Sequence, residues 1–232
     1  MPRRKVILVI VEGISEETAL GTLLTKIFPS NLVFVDVICG DITTREGVSG
    51  AKIVAAVRDE IKRYAERNKL KQKDFQEVIH LIDTDGVYIE NSNVIEDSDA
   101  LSPIYLQTGI RTCRKTGIEG RNSQKRENLN RLWPKGTIWN VPYRVYYMSC
   151  NLDHVLYDKP NSSDCEKEEN AIKFAEKYEF DVPGFKQFMT LSAFSVMSGY
   201  KESWEFISKG LNSLKRYTNM GLCLPEENAI KL

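Results

Sequence analysis

Histidine is nearly absent from this chain. His80 and His154 are the only two in 232 residues, too few for a zinc centre built on several imidazoles. Cysteine is present but unorganised. The five (Cys39, Cys113, Cys150, Cys165, Cys223) are odd in number and contain no Cys-x-x-Cys pair. Neither a disulfide framework nor a thiolate metal cluster is encoded, and such usage suits a reducing cytoplasm. Net charge is lacking as well: 32 basic side chains meet 32 acidic ones, so any hold on nucleic acid requires local segregation of charge. No apolar run reaches the roughly 20 residues of a membrane span, which excludes a membrane partner. The opening Met1-Pro2-Arg3-Arg4-Lys5 has the outline of a signal peptide. Yet the apolar run behind it stops at Glu12 and shows no small-residue cleavage pattern, so a buried first strand is expected.

What the chain does have is enough apolar content, 42%, for a full core, with 28% charged residues, ordinary for a folded enzyme-sized domain. Residues 5–11 are apolar throughout, the mark of a strand covered on both faces. Ser15 is read as the N-cap of a helix carrying Ala19, Leu20, Leu23, Leu24 and Ile27 on one stripe and stopped by Pro29. Residues 32–38 form a second strand ending at Cys39-Gly40-Asp41, residues 49–68 a helix, and 77–82 a third strand. The order β-α-β-α-β predicts an α/β fold with a parallel sheet. Regularity fades over 86–142; Tyr143–Met148 reads as a fourth strand, and helices are expected at 165–179, 183–197 and 201–215. One catalytic region over 1–150, with a basic loop insertion at 111–140, and a helical C-terminal region over 151–232 packed on it is the expected organisation.

Two acidic clusters stand at the ends of apolar strands. The first is Glu12-Gly13 followed by Ser15-Glu16-Glu17; the second is Asp83-Thr84-Asp85-Gly86. Open α/β sheets place their chemistry at the carboxyl edge of the strands. Carboxylates gathered there without cationic partners repel, and a hard divalent cation keeps them ionised together. That reading collapses if Glu12, Asp83 and Asp85 lie far apart, or if any of them is locked into a buried Lys or Arg pair. Purely local roles, as caps and turn residues, are the other reading of each cluster. After the fourth strand, Asp153 is an additional candidate ligand and His154 a candidate proton shuttle, with a cap and a core residue as the alternatives. The span from Arg111 to Lys135 is strongly basic, with Arg111, Arg114, Lys115, Arg121, Lys125 and Arg126 in front of Trp133 and Trp139. It suits phosphates and unstacked bases, or else is a solvated loop or subunit contact, in which case a homo-oligomer follows. Gly47-Val48-Ser49-Gly50-Ala51-Lys52 lacks phosphate-loop spacing, and Ser49 is read instead as a helix cap.

Taken together, Val-Glu12-Gly13-x-Ser-Glu16-Glu17 and Ile-Asp83-x-Asp85-Gly86 resemble the TOPRIM domain of topoisomerases, primases, OLD-group nucleases and ribonuclease M5-type nucleases. The resemblance covers residues 5–150. It implies a parallel four-stranded sheet flanked by helices and a Mg²⁺ site (Mn²⁺ as substitute) on Glu12, Asp83 and Asp85, with Glu16 as a further ligand. It also implies two ions acting on a phosphodiester. The expected activity is a Mg²⁺-dependent endonuclease on DNA or RNA, a cytoplasmic phage-defence effector working with a separate ATPase. A non-catalytic, nucleic-acid-binding or scaffold subunit is the alternative. A phosphotransferase or phosphatase with a nucleophilic Asp is a third. The chain departs from the family where a third acid often follows the second Asp: Val87 stands there, with Glu90 the nearest acid, which argues against topoisomerase chemistry.

Overall fold

The computed structural model describes residues 4–28, 33–39 and 42–225; Pro29, Leu32, Gly40, Asp41 and the end of the chain lie outside the described residues. A mixed five-stranded sheet forms the centre. Strand β1 (Lys5–Val11) pairs in parallel with β2 (Val33–Cys39) on one side and β3 (Phe75–Asp83) on the other. Strand β8 (Val141–Met148) extends β3 in parallel, and the short β7 (Thr137–Ile138) closes the edge antiparallel to β8. The sheet order is therefore β2-β1-β3-β8-β7.

Side chains alternate across a strand, and that alternation sorts the core. Ile7, Val9 and Val11 pack with α1 (Ile14–Ile27), α4 (Leu152–Tyr157), α5 (Asp164–Tyr178) and α6 (Val182–Leu191). Val6, Leu8 and Ile10 pack with α2 (Lys52–Arg67), α3 (Lys115–Leu132) and α7 (Tyr200–Ile207). The result is three layers, with seven α-helices among the described residues. The region beyond residue 151 supplies helices to both outer layers.

Several expected boundaries move. Helix α1 begins at Ile14 with Gly13 in the cap position and no side-chain cap, so Ser15 lies inside the first turn. There Glu16 and Glu17 still meet the positive end of the helix dipole. Helix α2 begins at Lys52 behind Ala51, which moves the cap away from Ser49. Helices α6 and α7 are shorter than expected, stopping at Leu191 and Ile207. At α5 the local signal is strong: Ser163 and Glu166 form a capping box, at 3.3 Å and 2.8 Å between side chain and backbone.

The main correction falls on the basic segment. Residues 111–140 are not a loop insertion. They hold strand β6 (Gly109–Thr112), the 18-residue α3 and β7. Ile118, Asn122, Lys125, Leu129 and Leu132 are buried at helical spacing, so the element buries a stripe with two polar members that interrupt the apolar pattern. A second sheet, ordered β4-β6-β5 with β4 (Val94–Glu96) and β5 (Ile104–Leu106), occupies part of the irregular span.

Candidate functional site

Because β1 and β3 are neighbours and run in parallel, their carboxyl ends lie side by side. Glu12 follows β1, Asp83 ends β3, and the chain after β8 turns into α4 at the same edge. A cleft of about 1020 Å³ opens there, bordered by Glu12, Glu16, Asp83, Asp85, Asp153 and Asp164, with Lys167 as a cationic member of the lining. The four acids singled out from sequence thus come together, and Asp153 joins them. Asp153 accepts a hydrogen bond from Asn170 Nδ2 at 2.7 Å, which fixes it against α5.

The Asp-Thr-Asp-Gly turn has an unusual backbone. Asp85 and Gly86 both have positive φ, 48° and 69°. Gly86 suits that conformation, and a Cβ there would lie 2.5 Å from Leu214 Cδ2, so any other residue would be strained and would have to displace that side chain. Asp85 has no such freedom, and its strain is held by contacts on every side. Its N–H donates to Cys150 O at 2.7 Å, and its carbonyl accepts from Arg121 at 2.9 Å. Thr84 is fixed in turn by N–H to Met148 O, 2.9 Å, and Oγ1 to Ser213 O, 2.8 Å.

The expectation that these carboxylates lack a cationic partner is wrong. The Lys125 side chain, 0% exposed, places its Nζ 2.6 Å from Asp85 Oδ2 and 3.0 and 3.1 Å from the two Glu12 carboxylate oxygens. Thr43 Oγ1 adds a hydrogen bond to Glu12 Oε1 at 2.9 Å. Burial would push the Asp85 carboxyl up, but Lys125 and then Arg121 outweigh it and hold Asp85 below the usual carboxylate range. Asp83 goes the other way. Its burial, followed by repulsion from Glu16, Glu12 and Asp85, raises it well above an ordinary Asp. Glu16 is raised too, first by burial and less by Asp153. Two aspartates two positions apart therefore occupy opposite electrostatic environments.

The basic residues read as a phosphate grip turn inward or pair locally. Arg121 donates to the Asp85 carbonyl, to Tyr105 Oη at 2.8 Å and to Asn122 Oδ1 at 2.8 Å. Arg126 donates to Val87 O at 2.9 Å. Arg111 pairs with Asp97 at 2.6 Å, away from the turn; of the other two, Arg114 is exposed and Lys115 half-buried. Trp133 stacks on Trp204 at 6.0 Å and Trp139 packs edge-on to Phe75, so neither is a platform for bases. For Arg121, Lys125 and Arg126 the reason is shared: a helix replaces the loop, and its inner face meets the acidic turn. His154 does not border the cleft; its Nε2 lies 3.5 Å from Asp158, and burial lowers its pKa. Val87 is fully buried among apolar side chains, which explains why no acid stands there, and Glu90 is exposed outside the cleft.

Sequence reading missed the organising work of α3. Besides Lys125, Asn128 donates to Thr43 O and Val48 O, both at 2.9 Å, and accepts from Gly50 N–H at 3.0 Å. It thereby pins the loop that carries Thr43 to Glu12. The available signal was the spacing Ile118, Asn122, Lys125, Leu129, Leu132, one helical face with polar members in it.

The cluster was tested as a site for a hard divalent ion. Its donors are all oxygens, and carboxylates outnumber the buried ammonium, which fits such an ion in chemistry and in charge. Drawn in around Lys125, the acids do not present three ready ligands together among the described residues. Lys125 makes no hydrogen bond to Glu16 or Asp83 and acts on Asp83 only through space. No protein-family model, curated protein or solved structure gives a significant match to this chain. Among the described residues no helix is long and apolar enough to cross a membrane.

Proposed function

We propose that the protein is a Mg²⁺-dependent hydrolase of phosphodiester bonds, an endonuclease of the TOPRIM kind, with Mn²⁺ as an effective substitute. One observation carries the reading. Glu12, Glu16, Asp83 and Asp85, from two adjacent strand ends, border a single cleft at the carboxyl edge of the sheet. Asp83 and Glu16 would hold the ion, with Asp153 beside them. When bound, the ion supplies charge neutralisation at a phosphate and acidifies a coordinated water. The chain's own contribution is placement: Lys125 pairs with Glu12 and helps hold Asp85 below the usual carboxylate range, and Arg121 holds the strained turn that presents Asp85.

With the other basic residues turned inward, Lys167 is the cation that borders the cleft and can meet a polyanion there. A role in phage defence beside a separate ATPase rests on the motif resemblance alone. The second reading is a non-catalytic TOPRIM-like subunit, and a specific contact favours it: a lysine already spans two of the acids. The two part in one assay. Supercoiled plasmid and transfer RNA are incubated with the pure chain in Mg²⁺, Mn²⁺ or EDTA, beside Asp83→Ala. Cleavage that needs metal and disappears in the variant is expected. Tight binding with no cleavage in any condition replaces the hydrolase with the binding subunit.

A further inference from the structure

We infer that Asn161 is a specificity-determining residue: its side chain latches one wall of the cleft to the other, so that a strand with a free end reaches the acids faster than a closed one. The inference rests on the hydrolase reading and deepens it. Residues 102–105 and 160–164 both border the acid cleft. The first group includes part of β5, whose Tyr105 packs with Val94, Ile110 and Ile118 on the side of α3. The second joins α4 to α5, on the opposite face of the sheet. They meet where Asn161 Oδ1 accepts from Tyr105 N–H at 2.7 Å and Asn161 Nδ2 donates to Tyr105 O at 2.8 Å. Among the described residues no other hydrogen bond or ion pair joins β5 to the 158–164 loop.

One side chain here does what a neighbouring strand would do. Tyr105 stands opposite Ile110 in the antiparallel pair of β5 and β6, and its own N–H and C=O go to Asn161. Each wall is anchored apart from the latch. Arg121 donates to Tyr105 Oη at 2.8 Å on one side. On the other, Asn151 Nδ2 donates to Pro160 O at 2.8 Å, and Ser163 caps α5. Releasing Asn161 thus frees the walls from each other without unfolding either. Both bonds are open to water, where an amide pair is worth little, so they favour the closed form by roughly tenfold. A strand without an end must wait for that opening before it can lie beneath Asn161. One with an end can enter lengthwise.

Two measurements on the full chain test this. Hydrogen exchange, read by mass spectrometry, compares the wild type with Asn161→Ala. Exchange over 102–106 and 158–163 is expected to quicken about tenfold, with the turn at 83–87 unchanged. No quickening shows that nothing is latched and overturns the inference. Cleavage in Mg²⁺ then compares a circular single strand with the same strand opened at one bond, as DNA and as RNA. The wild type is expected to cut the open form about tenfold faster, and Asn161→Ala to cut both at one rate. Equal rates in the wild type, or a preference that survives in Asn161→Ala, overturn the inference and leave the hydrolase standing. Cleavage of neither form by either protein overturns the hydrolase reading, and the choice of substrate with it, whatever the exchange shows.

Discussion

On one face of the sheet Phe174 meets Tyr178, Phe188 and Phe185 with ring centroids 5.0, 5.6 and 6.1 Å apart; on the other, α3 buries Asn122, Lys125 and Asn128. The first face is packed for stability, with aromatic area removed from water and rings meeting edge to face. The second gives up part of that area to hold loops. Of these polar groups, Lys125 reaches the turn at 83–87 and Asn128 the loop at 43–50, the two segments that frame the acids, while Asn122 accepts from the neighbouring Arg121. A buried ion pair is poor value for stability compared with apolar packing. The fully buried lysine lies on this face, below the acid cleft, which ties it to the site.

The comparison breaks most visibly at its two central residues. Lys125→Ala leaves Glu12 and Asp85 buried without their cation and is expected to cost about 3–5 kcal/mol in urea unfolding. Phe174→Ala is expected to cost a similar amount, about 3–5 kcal/mol, through lost area and a cavity. The two differ in rescue. Adding Glu12→Gln and Asp85→Asn to Lys125→Met removes the whole charged set and should recover most of the loss, whereas no partner substitution restores Phe174→Ala. Failure of that rescue would show that the ammonium is packing, not charge compensation.

A smaller effect is expected at Asn128→Ala, about 1–3 kcal/mol, because its three partners on the 43–50 loop lose their bonds. Hydrogen exchange should quicken in that loop and leave α5 and α6 protected; uniform quickening would deny the separate role of the second face. Tyr105→Phe removes one acceptor of Arg121 and is expected to cost about 0.5–1.5 kcal/mol. Metal-dependent cleavage should persist, since the hydroxyl accepts from Arg121; loss of cleavage with the fold intact would place Tyr105 in the site itself.

The smallest effect lies away from both cores. Burial would raise Glu60, but Arg45 and Arg63 outweigh it and hold it below its usual 4.5. A depressed carboxylate stabilises above the unfolded pKa and loses its contribution as pH falls through the folded one. Glu60→Gln should therefore cost about 0.5 kcal/mol at pH 7 and nothing once the pH is well below 4. A difference that persisted in acid would mean that the arginines act by packing.

Much of the frame was legible in the chain because it follows from local rules. The largely apolar runs at 5–11 and 77–82 read as strands covered on both sides, and their acidic ends had to lie at one edge once the strands ran in parallel. The reading failed at α3 for an equally physical reason. Lysine, arginine and asparagine facing inward look, in one dimension, the same as those facing water, and their partners are 36 to 113 positions away.

Sequence alone determined the α/β class, the strand ends and the gathering of Glu12, Glu16, Asp83 and Asp85, because periodicity and parallel pairing act over short spans. Only the tertiary structure decided what neutralises those acids. Whether a lysine meets solvent or a carboxylate depends on which helix packs over which turn, and long-range packing sets that.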